Sequence, residues 1–165
     1  MSLPIGHLLV HMGVLSDQQR VFILQEQEIS GRPFGELAEA MFGVSQKAIE
    51  SAWAEQYAST TKWVDPTLEI IDPAALALIS RRQAWQFRVM PMRYDGSELM
   101  ICTTRHHLVR ALNFCTRHVP ATCFFVLAEP ETLGESLMRH YAIDGMSREM
   151  VRELGFGPVS GELAA

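Results

Sequence analysis

The sequence lacks the signals that place many chains at once. Apolar runs are only a few residues long, so no stretch reads as a helix able to cross a bilayer. The start, Met1-Ser2-Leu3-Pro4-Ile5-Gly6-His7, has neither the basic region nor the apolar stretch of a signal peptide. Cysteine is scarce: Cys102, Cys115 and Cys123 form no CxxC pair, which reads as reduced thiols in a cytoplasmic protein. Positive charge is in deficit, with 14 Lys and Arg against 19 Asp and Glu and a net charge of −5. That balance argues against nucleic acid or an anionic membrane as the main partner, because both demand a basic surface. No GxxxxGK[ST] loop and no HExxH pair occurs, and no nucleophile, base and orienter stand together. A phosphate-cleaving or zinc-dependent enzyme is therefore not expected, nor is any cofactor.

What is present is globular. Hydrophobic residues make up 48% and charged residues 20% of the 165 positions, a composition that folds around a core. An internal repeat appears at an offset of 29 residues. Pro4, Gly6, Leu8, Met12, Ser16, Glu26 and Gln27 recur as Pro33, Gly35, Leu37, Met41, Ser45, Glu55 and Gln56. Each copy reads as a helical hairpin. Proline stands near the first helix start, where a missing N–H costs little. Gly13 or Gly43 breaks that helix, and Ser16 or Ser45 caps the next. The second helices are expected to present Val21 and Leu24, or Ile49 and Trp53, on one face.

Beyond residue 58 the element types alternate. The expected order is an extended entry at 62–64, a helix from Asp72-Pro73 to Ile79 and a short helix over 81–86. A hairpin over 87–103 turning at Asp95-Gly96, a helix over 107–118, a strand over 121–128 and a helix over 130–141 follow. The expected fold class is α+β, a four-helix subdomain of two hairpin repeats followed by a small α/β sandwich. Expected boundaries are 1–58, 59–142 and a flexible tail over 143–165, with room for a helical turn or two near 146–154. Residues 1–58 hold three basic and seven acidic side chains, which makes the helical part the acidic one.

Gly6, Gly13, Leu24 and Gln27 in the first copy, and Gly35, Ile49, Trp53 and Gln56 in the second, stand at the distances of a twice-occurring motif. Its pattern is Arg-Leu-Gly, six residues, Gly, six residues, Leu, three residues, Leu, two residues, Gln. In this the chain resembles the MshEN domain, the N-terminal module of type II secretion and type IV pilus assembly ATPases. Ile71-Asp72-Pro73-Ala74-Ala75-Leu76 and Phe87-Arg88-Val89-Met90-Pro91-Met92 resemble that module's second part. The resemblance implies a non-catalytic module that docks on assembly components or an ATPase, and no direct membrane insertion. For one subset it also implies a cyclic di-GMP site, here drawing on Gly6, Gly13, Leu24, Gln27, Arg32, Gly35 and Gln56. The chain departs from the motif at informative positions. Pro4 and Pro33 replace both arginines, Arg32 lies one place out of phase, Phe42 replaces the second glycine of copy two, and Arg20 replaces a leucine.

Other candidates have plainer readings. His7 and His11, four apart on a helix, are expected at the surface, and His106-His107 in a basic loop. The three cysteines are expected as small core residues, and Arg81, Arg82, Arg88 and Arg93 as a solvated face. The two copies differ most where Leu9 and Val10 meet Ala38 and Glu39. The surface around Leu9, Val10 and Phe22 is therefore the expected partner site.

Overall fold

The computed structural model describes residues 3–157. It divides into two compact units, one ending at Thr60 and the other starting at Thr61.

The first unit is the repeat. Its helices are α1 (Ile5–His11), α2 (Asp17–Ser30), α3 (Phe34–Phe42) and α4 (Gln46–Thr60). Equivalent residues end and begin the helices in both copies. Pro4 and Pro33 precede α1 and α3 with φ of −58° each, and neither side chain caps the helix. The amides of Leu15 and Val44 both reach back six residues, to the carbonyls of Leu9 and Ala38, at 3.3 Å each. This wrap closes a helix through a left-handed residue. Gly43 is that residue in copy two, with φ of 67°, and Gly13 turns the chain in copy one with φ of 75°. Ser16 and Ser45 then accept from the amides of Gln19 and Ala48, both at 3.1 Å.

The core of this unit is built from equivalent pairs: Leu8 with Leu37, Leu9 with Ala38, Leu15 with Val44, and Ile23 with Ala52, all buried. Two large side chains of copy one correspond to alanines in copy two, while Phe34 is larger than its counterpart Ile5. The copies share buried positions although their side chains have diverged. The inward residue of α2 is Ile23, not the expected Val21 and Leu24, which are exposed. In Val21-Phe22-Ile23-Leu24 four apolar residues run together, so helical spacing alone does not choose among them. Packing selects the one that repeats as Ala52.

The second unit begins with an extended segment and the 3-10 turn Pro66–Leu68. Helices α5 (Pro73–Leu76) and α6 (Arg81–Phe87) and strands β1 (Met90–Asp95) and β2 (Glu98–Thr103) follow, then α7 (Leu108–His118), β3 (Cys123–Leu127), α8 (Pro130–His140) and α9 (Arg148–Val151). The sheet order is β1-β2-β3, antiparallel then parallel. Asp95-Gly96 makes the hairpin turn, with Gly96 at φ of 63°. The parallel pair needs a long crossover, and α7 supplies it. Trp63 bridges Leu127 in parallel, so the extended entry lengthens the sheet. The observed class is α+β.

Three expected boundaries shift. The helix from Asp72 ends at Leu76, four residues in length, with Asp72 Oδ1 capping the amide of Ala74 at 2.9 Å. The strand expected from Phe87 begins at Met90, because Phe87 completes α6 and stacks on Phe114 at 4.2 Å. Within the expected tail, α9 falls in the stretch given to a helical turn, but α9 and the turn after it are seated, with Val151 and Phe156 buried. The rest of the expected tail, from residue 158, lies outside the described residues.

Candidate functional site: the repeat pair

Several of the residues singled out in the repeat hold the two copies to each other. Gln27 Nε2 donates to the carbonyl of Arg32 at 3.2 Å, and Gln56 Nε2 donates to the carbonyl of Leu3 at 3.4 Å. Leu3 and Arg32 are repeat equivalents. Each copy's glutamine therefore clamps the chain entering the other copy's first helix. The helix contacts follow the same exchange: α1 packs chiefly on α4, and α2 on α3. The repeats are interleaved, related by a pseudo-twofold arrangement, rather than stacked as separate hairpins.

The glycines permit this approach. A Cβ on Gly6 would stand 2.8 Å from Phe34 Cζ and 3.2 Å from Arg20 Cγ. A Cβ on Gly35 would stand 2.9 Å from Ile49 Cγ2. Arg20 and Ile49 are again equivalents, so each glycine is covered by the same position of the following helix. Replacing either glycine with valine is expected to cost about 1–3 kcal/mol through overpacking. Urea unfolding of Gly6→Val and Gly35→Val reads this directly. Midpoints equal to wild type would show that the close approach is not a constraint.

The remaining motif positions are more open. Gly13 is exposed, and an added Cβ there meets nothing within 4 Å. Its counterpart Phe42 is half-buried at the end of α3 and packs against the core. Leu24 is exposed, and its counterpart Trp53 is half-buried with its ring 5.5 Å from Tyr57. Both nearby arginines are engaged by acids. Arg20 Nε donates to Asp17 Oδ1 at 2.9 Å, and Arg32 donates through Nε and Nη2 to Glu36 Oε1 at 3.0 and 2.8 Å. Arg20 is the residue that motif matching undervalued. Its stem lies on Gly6, and its signal in the sequence was a charge at a position where the pattern asks for leucine.

The expected partner surface is corrected in part. Leu9 is fully buried in the four-helix core and cannot face a partner. Val10 is half-buried and packs on the same core. Phe22 is 46% exposed on α2, and Ile29, seven residues on along the same helix, is 82% exposed. Their counterparts in copy two are Ser51 and Ala58. An apolar strip thus marks copy one alone.

In the second unit the polar groups serve structure. His107 Nδ1 lies 2.8 Å from Thr104 Oγ1. Burial, then Arg88, His106 and Arg110, hold its pKa below the usual imidazole value. Arg93 Nη1 pairs with Glu69 Oε2 at 3.0 Å and also donates to the Ile70 carbonyl. Arg88 turns instead to the C-terminal segment, so these arginines do not form one solvated face. Cys102 and Cys115 are buried and Cys123 is half-buried. Burial pushes the Cys102 and Cys115 thiols up to about 12, which keeps them protonated and weakly nucleophilic. His7 and His11 are exposed, and no three His, Cys, Asp or Glu side chains gather as metal ligands among the described residues. No helix among the described residues is long and apolar enough to cross a membrane.

Comparison with known proteins adds a family. The MshEN domain pattern matches residues 58–147, which is the second unit and its approach; the glycine and glutamine repeats lie before it. No curated protein matches. Among solved structures, that of MshE with cdg is similar at 22% identity and a TM-score of 0.47, covering 84% of this chain and 99% of that one. The N-terminal domain of XpsE is similar at 16% identity and a TM-score of 0.46, covering 83% of this chain and 93% of that one.

Proposed function

The chain belongs to the MshEN domain family, and from that premise we propose that it is a non-catalytic regulatory and docking module of a secretion or pilus assembly system. It works in the cytoplasm, and its partner is an assembly component or the ATPase itself. The observation that carries this reading is the division of labour within the repeat. Gly6, Gln27 and Gln56 are occupied in holding the two copies together, and Gly35 in seating α3 on Ile49 of its own copy. The positions from which arginines would reach a ligand carry Pro4 and Pro33. A scaffold has kept its frame and lost most of its ligand chemistry.

The docking face is the strip of Phe22 and Ile29 on α2. Exposed aromatic and branched side chains on an acidic unit suit a partner surface with an apolar centre and a basic rim. The test is binding of the purified chain to the purified ATPase or membrane-platform component of the same system. The double variant Phe22→Glu, Ile29→Glu is expected to bind at least tenfold more weakly with its melting temperature unchanged. Wild-type binding by that variant removes the strip from the interface.

A second reading has one observation in its favour. In copy one, Gly13 leaves open space after the end of α1, and Arg20 lays its stem on Gly6 at the start of α1. Such a half-site would take one purine of cyclic di-GMP through Gly13, Leu24 and Arg20. Calorimetric titration is expected to give a Kd weaker than micromolar. A submicromolar wild-type Kd would make ligand sensing the primary role.

A further inference from the structure

Acidic side chains are missing from much of the second unit. Between Asp72 and Glu129 the only acids are Asp95 and Glu98, both at the tip of the hairpin, against seven arginines and no lysine. Of these arginines, Arg93 pairs with Glu69 and Arg88 turns to the C-terminal segment. Arg110 and Arg117 of α7 are exposed, and neither pairs with a carboxylate among the described residues. Burial of Leu108, Ala111, Phe114 and Cys115 fixes which side of α7 faces out. Arg110 and Arg117 are two helical turns apart on that outer side, about 10 Å along the axis. Asn113, also exposed, lies between them.

This face is ordered in advance. The Arg110 guanidinium lies 5.3 Å from the Phe87 ring centroid. Phe87 stacks on Phe114 with centroids 4.2 Å apart, and Phe114 stacks on His118 at 5.0 Å. An arginine held over an aromatic ring loses less freedom when it takes a ligand. The charge of the face is also uncompensated. Arg110 stands in the first turn of α7, where a cation opposes the helix dipole and no acid offsets it. Burial, then Arg110, holds the Arg88 pKa below its ordinary value, and burial, then Arg88, His106 and Arg110, does the same to His107. The charges acting on both groups are thus cationic, and the anion that would balance them has to come from outside.

We propose that the outer face of α7 binds an acidic segment of a partner protein, with Arg110 and Arg117 each taking a carboxylate. The planar fork of arginine grips a carboxylate through two parallel N–H bonds, which lysine cannot do. Carboxylates two turns apart on an acidic helix match the spacing of the two arginines. A membrane or a nucleic acid is a poorer match. Both call for a broad basic field, and the whole chain carries a net charge of −5. Nucleic acid also calls for open aromatic faces, whereas Phe87 and Phe114 are covered by each other, Arg110 and His118. The surface uses residues of the second unit only. Its partner is opposite in sign to the basic-rimmed partner of the α2 strip, so the two docking roles stand or fall separately.

The probe is a fluorescent helical peptide of alanine and glutamate, with glutamates two turns apart on one face. Its binding to the whole chain is read by fluorescence polarisation at one fixed ionic strength. Arg110→Gln, Arg117→Gln is expected to bind at least tenfold more weakly than wild type with an unchanged melting temperature, since both side chains are exposed. Arg110→Lys, Arg117→Lys keeps the charge but loses the fork, and its affinity is expected to fall between the two. Arg139→Gln, Arg148→Gln removes the same charge from the cavity beside α8 and is expected to bind as wild type does. No binding by wild type, an equal loss in the Arg139 and Arg148 variant, or lysine serving as well as arginine overturns the proposal. Tighter binding to phosphatidylglycerol vesicles or to a DNA duplex than to the peptide gives the face to a different occupant and overturns it too.

Discussion

Leu9→Glu is expected to unfold the four-helix unit, while Phe22→Glu in the same unit leaves its stability within about 0.5 kcal/mol of wild type. Leu9 is fully buried, and its carbonyl anchors the wrap that ends α1. Removing a buried leucine costs about 2–5 kcal/mol before any charge is considered. A carboxylate in its place has no cation in the core to meet it, and an unpaired buried charge adds several kcal/mol more. A unit of this size holds only about 3–5 kcal/mol in its core, so the loss exceeds what is there. Phe22 already meets water over nearly half its surface, and glutamate there breaks no hydrogen bond. Hydrogen exchange makes the comparison: amides of α1 to α4 should lose protection in Leu9→Glu and keep it in Phe22→Glu. A protected, cooperative Leu9→Glu variant would place Leu9 outside the core and revive it as a docking residue.

That contrast also shows what could be read from the residues alone. The repeat was legible because its identities fall where geometry is demanding: at the prolines before the first helices, the glycines under Arg20 and Ile49, and the serine caps. These are local requirements, and a sequence states them locally. The α+β order of the second part was legible for the same reason, since Asp72-Pro73 and Asp95-Gly96 each fix an element end by short-range chemistry. The rotation of α2 was not, because Val21-Phe22-Ile23-Leu24 offers four apolar choices and only tertiary packing selects Ile23. The glutamines were recognised as motif residues, but their task was hidden. Gln56 meets the carbonyl of Leu3, 53 positions away, and nothing near either residue announces the pairing. The seating of the C-terminal segment is hidden for a related reason. Gly155 and Gly157 suggest fraying, and the feature that seats Phe156 is the absence of a side chain at Gly134, in another helix.

The second large effect is a gain. The triple variant Pro4→Arg, Pro33→Arg, Phe42→Gly is expected to bind cyclic di-GMP two to four orders of magnitude more tightly than wild type. Pro4 and Pro33 are exposed, and their side chains make no cap, so arginine displaces no interaction of theirs. Their φ of −58° suits any residue, and their carbonyls, which accept from the amides of Leu8 and Leu37, are unchanged. Each new guanidinium can make charge-assisted hydrogen bonds to guanine or phosphate worth about 1.5–3 kcal/mol. One from each copy yields about 3–6 kcal/mol, which is the range stated, since 1.4 kcal/mol is about tenfold. Phe42→Gly removes the ring from the copy-two end and gives it the open space that Gly13 leaves in copy one. Against this stands the net negative charge of the unit, which opposes a dianionic ligand and whose effect shrinks as salt rises. The comparison is therefore made at one fixed ionic strength. Because the copies are interleaved, each arginine serves one half of a pseudo-symmetric site, and Pro4→Arg alone should recover about half of the free energy. A triple variant no tighter than wild type, with its fold intact, would mean that the missing arginines are not what separates this chain from the ligand-binding members of its family.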